Sequence, residues 1–127
     1  MSPPLQFLVP GNPIPLARAR VVSGHAFTPA RSVAYGVMVG FYAKRSMALH
    51  QRGTFPMKGP VRMVCEFHRG DERRCDLDNL VKAAKDALTA ARVWDDDSQV
   101  VELVARKAVS KREPRAEILV ELMPAGA

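Results

Sequence analysis

Two groups of aspartates bracket one stretch of this chain: Asp76 and Asp78 in CDLDNL, then Asp95, Asp96 and Asp97 in WDDDSQ. Between them Lys82 stands four residues after Asp78, and Lys85 and Asp86 follow three and four residues later. Carboxylate oxygens suit a hard cation such as Mg²⁺, and a carboxylate pair leaves space around it for water and a phosphate oxygen. A cation held this way activates water and offsets charge on a leaving oxygen, the two needs of phosphodiester hydrolysis. A lysine on the same helical face can hold the phosphate. Every piece also has a purely structural reading: Asp76 as a helix N-cap, Asp78 as a charge favoured by the helix dipole, residues 95–97 as a solvated turn, and Asp78 with Lys82 as a surface ion pair. A calcium EF-hand is excluded for DDDSQVVELVAR, which has Val100 where that loop needs glycine and Arg106 where it needs glutamate.

Positioning these residues falls to the elements around them. Leu77, Leu80, Val81, Ala84 and Leu88 are spaced for one buried helical face, so a helix should begin at Asp76 and run to about Ala91. The segment 78–91 is about 20 Å long as a helix. The two acidic groups can therefore meet only if the chain after the turn runs back along the helix, or if a second subunit supplies one of them. Spacing leaves both open.

Upstream, residues 5–9 form an apolar run stopped by Pro10-Gly11, and 10–15 a proline-rich extended loop. Ser23-Gly24 divides two short strand-like pieces as a hairpin turn does. Thr28 as N-cap and Pro29 at the first helical position should open a helix reaching about His50, with an apolar stripe of Val33, Val37, Phe41 and Ala48 beside Ala34, Met38 and Tyr42. Val61, Met63, Cys65 and Phe67 alternate with Arg62, Glu66 and His68 as in a half-buried strand, and a charged loop spans 69–75. Strands are expected over 99–109 and 116–123, and Trp94 as core. His25, His50 and His68 have no ligand spacing and read as surface or packing residues. The resulting fold class is α/β of the α+β kind: one domain over 1–127, a mixed β-sheet packed by two helices.

Composition fits that picture. The chain has 127 residues, 47% hydrophobic and 25% charged, too apolar for a disordered segment and long enough to fold without disulfides or structural zinc. Its two cysteines, Cys65 and Cys75, form no CxxC, so reduced thiols and a cytoplasmic setting are expected. No run is apolar enough for a membrane helix, and MSPPLQFLVPGNPIP is unlike a signal peptide. Net charge is +6, unevenly spread: Arg18, Arg20, Arg31, Lys44, Arg45, Arg52, Lys58 and Arg62 all precede the first acid, Glu66. A one-sign basic body of this kind attracts polyanions, nucleic acid foremost.

The block DLDNLVKAAKDALTAARVWDDDSQV closely resembles the signature of RusA-type Holliday-junction resolvases: DLDN, a lysine four residues after its second aspartate, a helix, a tryptophan, and an acidic turn followed by glutamine and a strand. The arginine-rich PIPLARARVVSGHAFTP resembles phage-type members, so a phage or prophage origin is compatible. The resemblance implies a homodimeric endodeoxyribonuclease that resolves four-way DNA junctions by paired symmetric nicks in recombination and repair. It implies Mg²⁺, with Mn²⁺ able to substitute, and no small-molecule cofactor. Its metal-binding acids fall on Asp76, Asp78 and Asp97 with Asp96 beside them, and its active-site lysine on Lys82. Arg18, Arg20, Arg73, Arg74 and Lys85 are the candidate DNA contacts. Two departures stand out: Cys75 occupies a place where another basic residue is expected, and Asp95 adds a negative charge that should raise the pKa of its neighbours by repulsion. The competing readings are a non-catalytic basic DNA-binding module, a nuclease for flaps or forks, and an RNA-directed enzyme.

Overall fold

The computed structural model describes residues 3–17, 20–27, 29–50 and 53–124, with only the backbone of 20–22 and 25–27. Strand β1 (Leu5–Pro10) is followed by the hairpin β2 (Arg20–Val22) and β3 (His25–Phe27), helix α1 (Ala30–Leu49), β4 (Val61–Arg69), α2 (Leu77–Ala90), a one-turn 3₁₀ segment (Asp97–Gln99), β5 (Val100–Val109) and β6 (Arg115–Leu122). The hairpin turn forms at Ser23 and Gly24, both with positive φ (51° and 80°), as a type I′ connection requires.

Four strands make one mixed sheet in the order β1-β6-β4-β5. Strand β6 runs antiparallel to both of its neighbours, while β4 and β5 are parallel and joined through α2. Because β5 must return in the direction of β4, it runs antiparallel to α2. An extra residue, Val101, interrupts the ladder where Val61 pairs Val100 but Arg62 pairs Glu102.

Alternation along β4 places Val61, Met63, Cys65 and Phe67 in the core and leaves Arg62, Val64, Glu66 and His68 on the other, half-covered face. Leu80, Val81, Ala84, Ala87 and Leu88 of α2 fill the core beneath them, with Trp94 fully buried. The Trp94 Nε1 donates to Thr89 Oγ1 at 2.7 Å, so its one polar atom is satisfied inside. Both thiols are free and buried, and burial pushes that of Cys65 up to about 12, which leaves it unreactive.

Helix α1 forms, but not with the expected face inward. Tyr35, Val39 and Ala43 meet the core, while Val33, Val37 and Phe41 are 53%, 69% and 60% exposed. The helix has two apolar faces, and the sheet takes the one with the smaller stripe. Its N-cap position is Pro29, one residue later than expected, and carries no side-chain cap; Thr28 lies outside the described residues.

Candidate active site

Helix α2 presents its acids as the sequence suggests. Asp76 occupies the N-cap position, yet its carboxylate makes no capping hydrogen bond and remains exposed. A residue placed as a cap and not used as one is free for another partner. Asp78 sits in the first turn, where the helix dipole favours a negative charge.

Asp78, Lys82, Lys85 and Asp97 line one cleft of about 440 Å³ between α2 and β5, closed beneath by Val81, Leu103 and Ala105. The return of β5 along α2 is what brings Asp97 to that cleft. Asp76 faces elsewhere. It lines a cleft of about 390 Å³ with Arg69, Arg73, Arg74 and Lys107, and a shallower one with Leu16, Arg74 and Asn79. Among the described residues, none of the aspartate trios brings three ligand atoms within 4.8 Å; the set that does so is Glu66, His68 and Glu117.

That second set lies on the sheet face opposite the cleft. His68 Nε2 stands 3.3 Å from Glu66 and 3.0 Å from Glu117, whose strands pair in register. Arg106 (3.4 Å) and Arg115 (3.3 Å) already neutralise the two carboxylates, which makes it an ion-pair network. Sequence reasoning missed it: Glu66-x-His68 on one strand face was visible, but Glu117 joins only through strand register.

The acidic turn is built rigidly. Asp96 Oδ2 accepts from Ser98 N (2.9 Å), and Gln99 Oε1 accepts from the backbone N–H groups of Asp95 (2.8 Å) and Asp96 (3.0 Å). Gln99 Nε2 then donates to the carbonyls of Met57 and Gly59, both at 2.9 Å. The turn is thus clamped to the loop before β4 while Asp97 is left to the cleft. Asp95 does not raise the carboxyl of Asp96 as expected. Lys58 at 2.7 Å and Arg92 at 3.1 Å neutralise it and hold its carboxyl below the usual range, the Lys58 hydrogen bond foremost. The Asp96 carboxyl is also held low, chiefly by its hydrogen bonds from the Ser98 side chain and backbone.

The basic loop is folded by Asp71. This carboxylate accepts from Arg73 N (3.0 Å), Arg69 (3.2 Å) and Asn12 (3.4 Å). These partners hold it below the usual carboxylate range, the Arg73 N–H first. Arg69 is buried beneath and also donates to Pro13 O, so the loop is anchored while Arg73 and Arg74 project beside Asp76. Lys107, overlooked in the sequence, donates to Cys75 O and ties the residue before Asp76 to β5. Leu16 N donates to Asn79 O (3.0 Å), which pins the N-terminal loop to the first turn of α2. Arg18 lies outside the described residues, and only the backbone of Arg20 is described.

Residues 10–121 match the family model described as endodeoxyribonuclease RusA. The chain belongs to the RusA family. It is similar to the crossover junction endodeoxyribonuclease RusA of Escherichia coli strain K12, 47% identical over 64 residues that cover 50% of this chain and 53% of that protein. The protein of the same name from Enterobacteria phage 82 is 45% identical over the same length and shares. A third, from E. coli O139:H28 strain E24377A, is 51% identical over 53 residues, 41% of this chain and 44% of that protein. The chain spans about half the length of these curated relatives. RusA membership extends across the basic loop, α2 and the acidic turn alike. No helix among the described residues is long and apolar enough to cross a membrane.

Proposed function

We propose that the protein is a divalent-metal-dependent endodeoxyribonuclease that resolves four-way DNA junctions by paired symmetric nicks, acting as a homodimer in recombination and repair. The observation that carries this reading is the cleft shared by Asp78, Lys82, Lys85 and Asp97 in a chain of the RusA family. Each of the relatives named above is a crossover junction endodeoxyribonuclease by name.

The donors suit a hard cation: Asp78 and Asp97 in the cleft offer only carboxylate oxygens, and Asp76, which lines the neighbouring clefts, is not spent on its helix. Mg²⁺ or Mn²⁺ bound there supplies an activated water and offsets charge at the phosphate. Asp96 shapes the turn with one oxygen and has the other in reserve. Lys82 neutralises the scissile phosphate, and Lys85 holds a phosphate within the same cleft. Arg73 and Arg74, with Arg18 and Arg20 of the N-terminal arm, grip the backbone, so that recognition rests on shape and phosphate position. Two incisions in a two-fold symmetric junction call for two sites in matching symmetry, which a C₂ dimer provides.

Cleavage of an end-labelled four-way junction tests the reading, with linear duplex as control, in Mg²⁺ and in EDTA, for the native protein and Asp78→Asn. Paired Mg²⁺-dependent nicks on the junction alone, lost in the variant, are expected. Tight binding without cutting, unchanged in the variant, would reduce the aspartates to helix-end charges on a DNA-structure binder. Faster cutting of flaps or forks would reassign the substrate.

A further inference from the structure

Residues 11–17 are bonded in turn to the β5–β6 turn, the basic loop, α2 and α1. Gly11 N donates to Pro114 O (3.0 Å), Leu16 N to Asn79 O in the first turn of α2 (3.0 Å), and Ala17 N to Ser32 Oγ in the first turn of α1 (3.2 Å). Ser32 Oγ itself donates to Pro15 O at 3.3 Å. Leu16 and Ala17 line one cleft with Arg74, Asp76 and Asn79. Arg18 is the next residue of the chain, so this segment leads directly into the arginine arm.

Asn12 is where the segment meets the basic loop. Its Oδ1 accepts from Gly70 N at 2.8 Å, and its Nδ2 donates to Asp71 Oδ2 at 3.4 Å. The Gly70 N–H requires the oxygen end of the amide, which leaves a donor to face Asp71. A Cβ on Gly70 would stand 3.2 Å from Pro114 and 3.7 Å from Asn12 Oδ1, so the segment and the β5–β6 turn close over bare backbone here. The other oxygen of Asp71 accepts from Arg69 (3.2 Å) and from Arg73 N (3.0 Å). Asn12 is thereby connected to the stretch of loop that ends in Asp76.

We infer that Asn12 is a positioning residue for the cleavage proposed above. Acting through Gly70 and Asp71, it sets Arg73, Arg74 and Asp76 relative to the arginine arm, so that a phosphate gripped by arm and loop is presented to the aspartates. The task needs an amide: one side chain must accept from a backbone N–H and donate to a carboxylate, which neither Asp nor Ala can do. This role rests on the part given to Asp76 in the proposed function.

Exchanging donor and acceptor tests it. In Asn12→Asp a carboxylate oxygen faces the Asp71 carboxylate, and in Asp71→Asn two amide N–H groups face each other. The double variant N12D/D71N restores the bond with its direction reversed and the charge conserved. The new carboxylate still accepts from Gly70 N, and the oxygen of the new amide keeps Arg69 and Arg73 N. In single-turnover cutting of a four-way junction at saturating protein, each single variant should be slower by roughly tenfold to a hundredfold, and the double variant should recover to within a few-fold of native. Cys75, buried directly before Asp76, reports the loop without any activity. Its iodoacetamide labelling, read by peptide mass, should accelerate in each single variant and return to the native rate in the double one. Cys65, buried in β4, is the control for global unfolding. Single variants that cut at the native rate once saturated overturn the inference, as does a double variant that regains its urea midpoint but not its cutting rate. A native protein that cuts no junction overturns the proposed function instead. Cys75 labelling unchanged in both single variants overturns the role of Asn12 even then.

Discussion

Gln99 Nε2 lies 2.9 Å from the carbonyl of Met57, so the acidic turn and the loop before β4 are held by one amide side chain. Its oxygen meanwhile accepts from the backbone of Asp95 and Asp96. Replacing Gln99 by Ala removes four hydrogen bonds, two at the turn and two at the loop. At a typical net value of about 0.5–1.5 kcal/mol for each bond, the loss should be at least about 2 kcal/mol in urea unfolding. Gln99→Glu should be at least as harmful, because a carboxylate would face two carbonyl oxygens with no proton to donate. Junction cleavage should fall in both variants more than junction binding does, since Asp97 loses its anchorage.

A second clamp lies inside. Thr89 Oγ1 accepts from Trp94 Nε1 and donates to Lys85 O at 2.9 Å. Thr89→Val keeps the shape and leaves a buried indole N–H unpaired, a cost of about 1–3 kcal/mol. Trp94 is the only tryptophan, so its fluorescence reports unfolding directly. An unchanged denaturation midpoint for Thr89→Val would show that the bond contributes nothing.

How far the sequence discloses this molecule can be judged residue by residue. Helix α2 was legible because Leu80, Val81, Ala84 and Leu88 form a single apolar stripe with acids at its start. Helix α1 was legible as a helix and misleading as to its face, because Val33, Val37 and Phe41 make a larger stripe than Tyr35, Val39 and Ala43. Periodicity identifies a helix but does not say which of two apolar faces the sheet receives. The placement of β6 between β1 and β4 depends on pairings such as Leu5 with Val120, which no local pattern encodes. The aspartates were visible as candidates, whereas the meeting of Asp78 and Asp97 in one cleft follows from the parallel return of β5. Lys107 gave no signal and Gln99 only its place in the signature, not its role, since their partners are backbone atoms brought near by the fold.

Acid should loosen the basic loop through Asp71. Its folded-state carboxyl titrates below the ordinary value, so the stability it confers is complete above the unfolded pKa of about 4 and disappears as pH falls through the lower folded value. Asp71→Asn should therefore be less stable than the native protein at pH 7, with the difference shrinking in strongly acidic buffer. Urea midpoints of the two proteins at several pH values measure this directly. A gap that widens toward low pH would contradict the assignment.

Arg74 and Lys82 should fail in different ways. Arg74 flanks Asp76 on an exposed loop, and its proposed part is to add charge against the DNA backbone. Arg74→Ala should weaken junction binding evenly across sequences and flatten the log–log salt dependence by about 0.9, the slope that one neutralised phosphate carries. Lys82 stands in the cleft with Asp78 and Asp97; in the proposed reaction the charge it offsets grows as the phosphate reacts. Lys82→Met should accordingly lower the single-turnover cleavage rate by roughly 10²–10³ while changing affinity by only a few-fold. The two measurements needed are binding at graded salt and single-turnover cutting at saturating protein. A Lys82→Met protein that binds weakly but cuts at the native rate once saturated would move Lys82 from the reacting phosphate to the backbone grip.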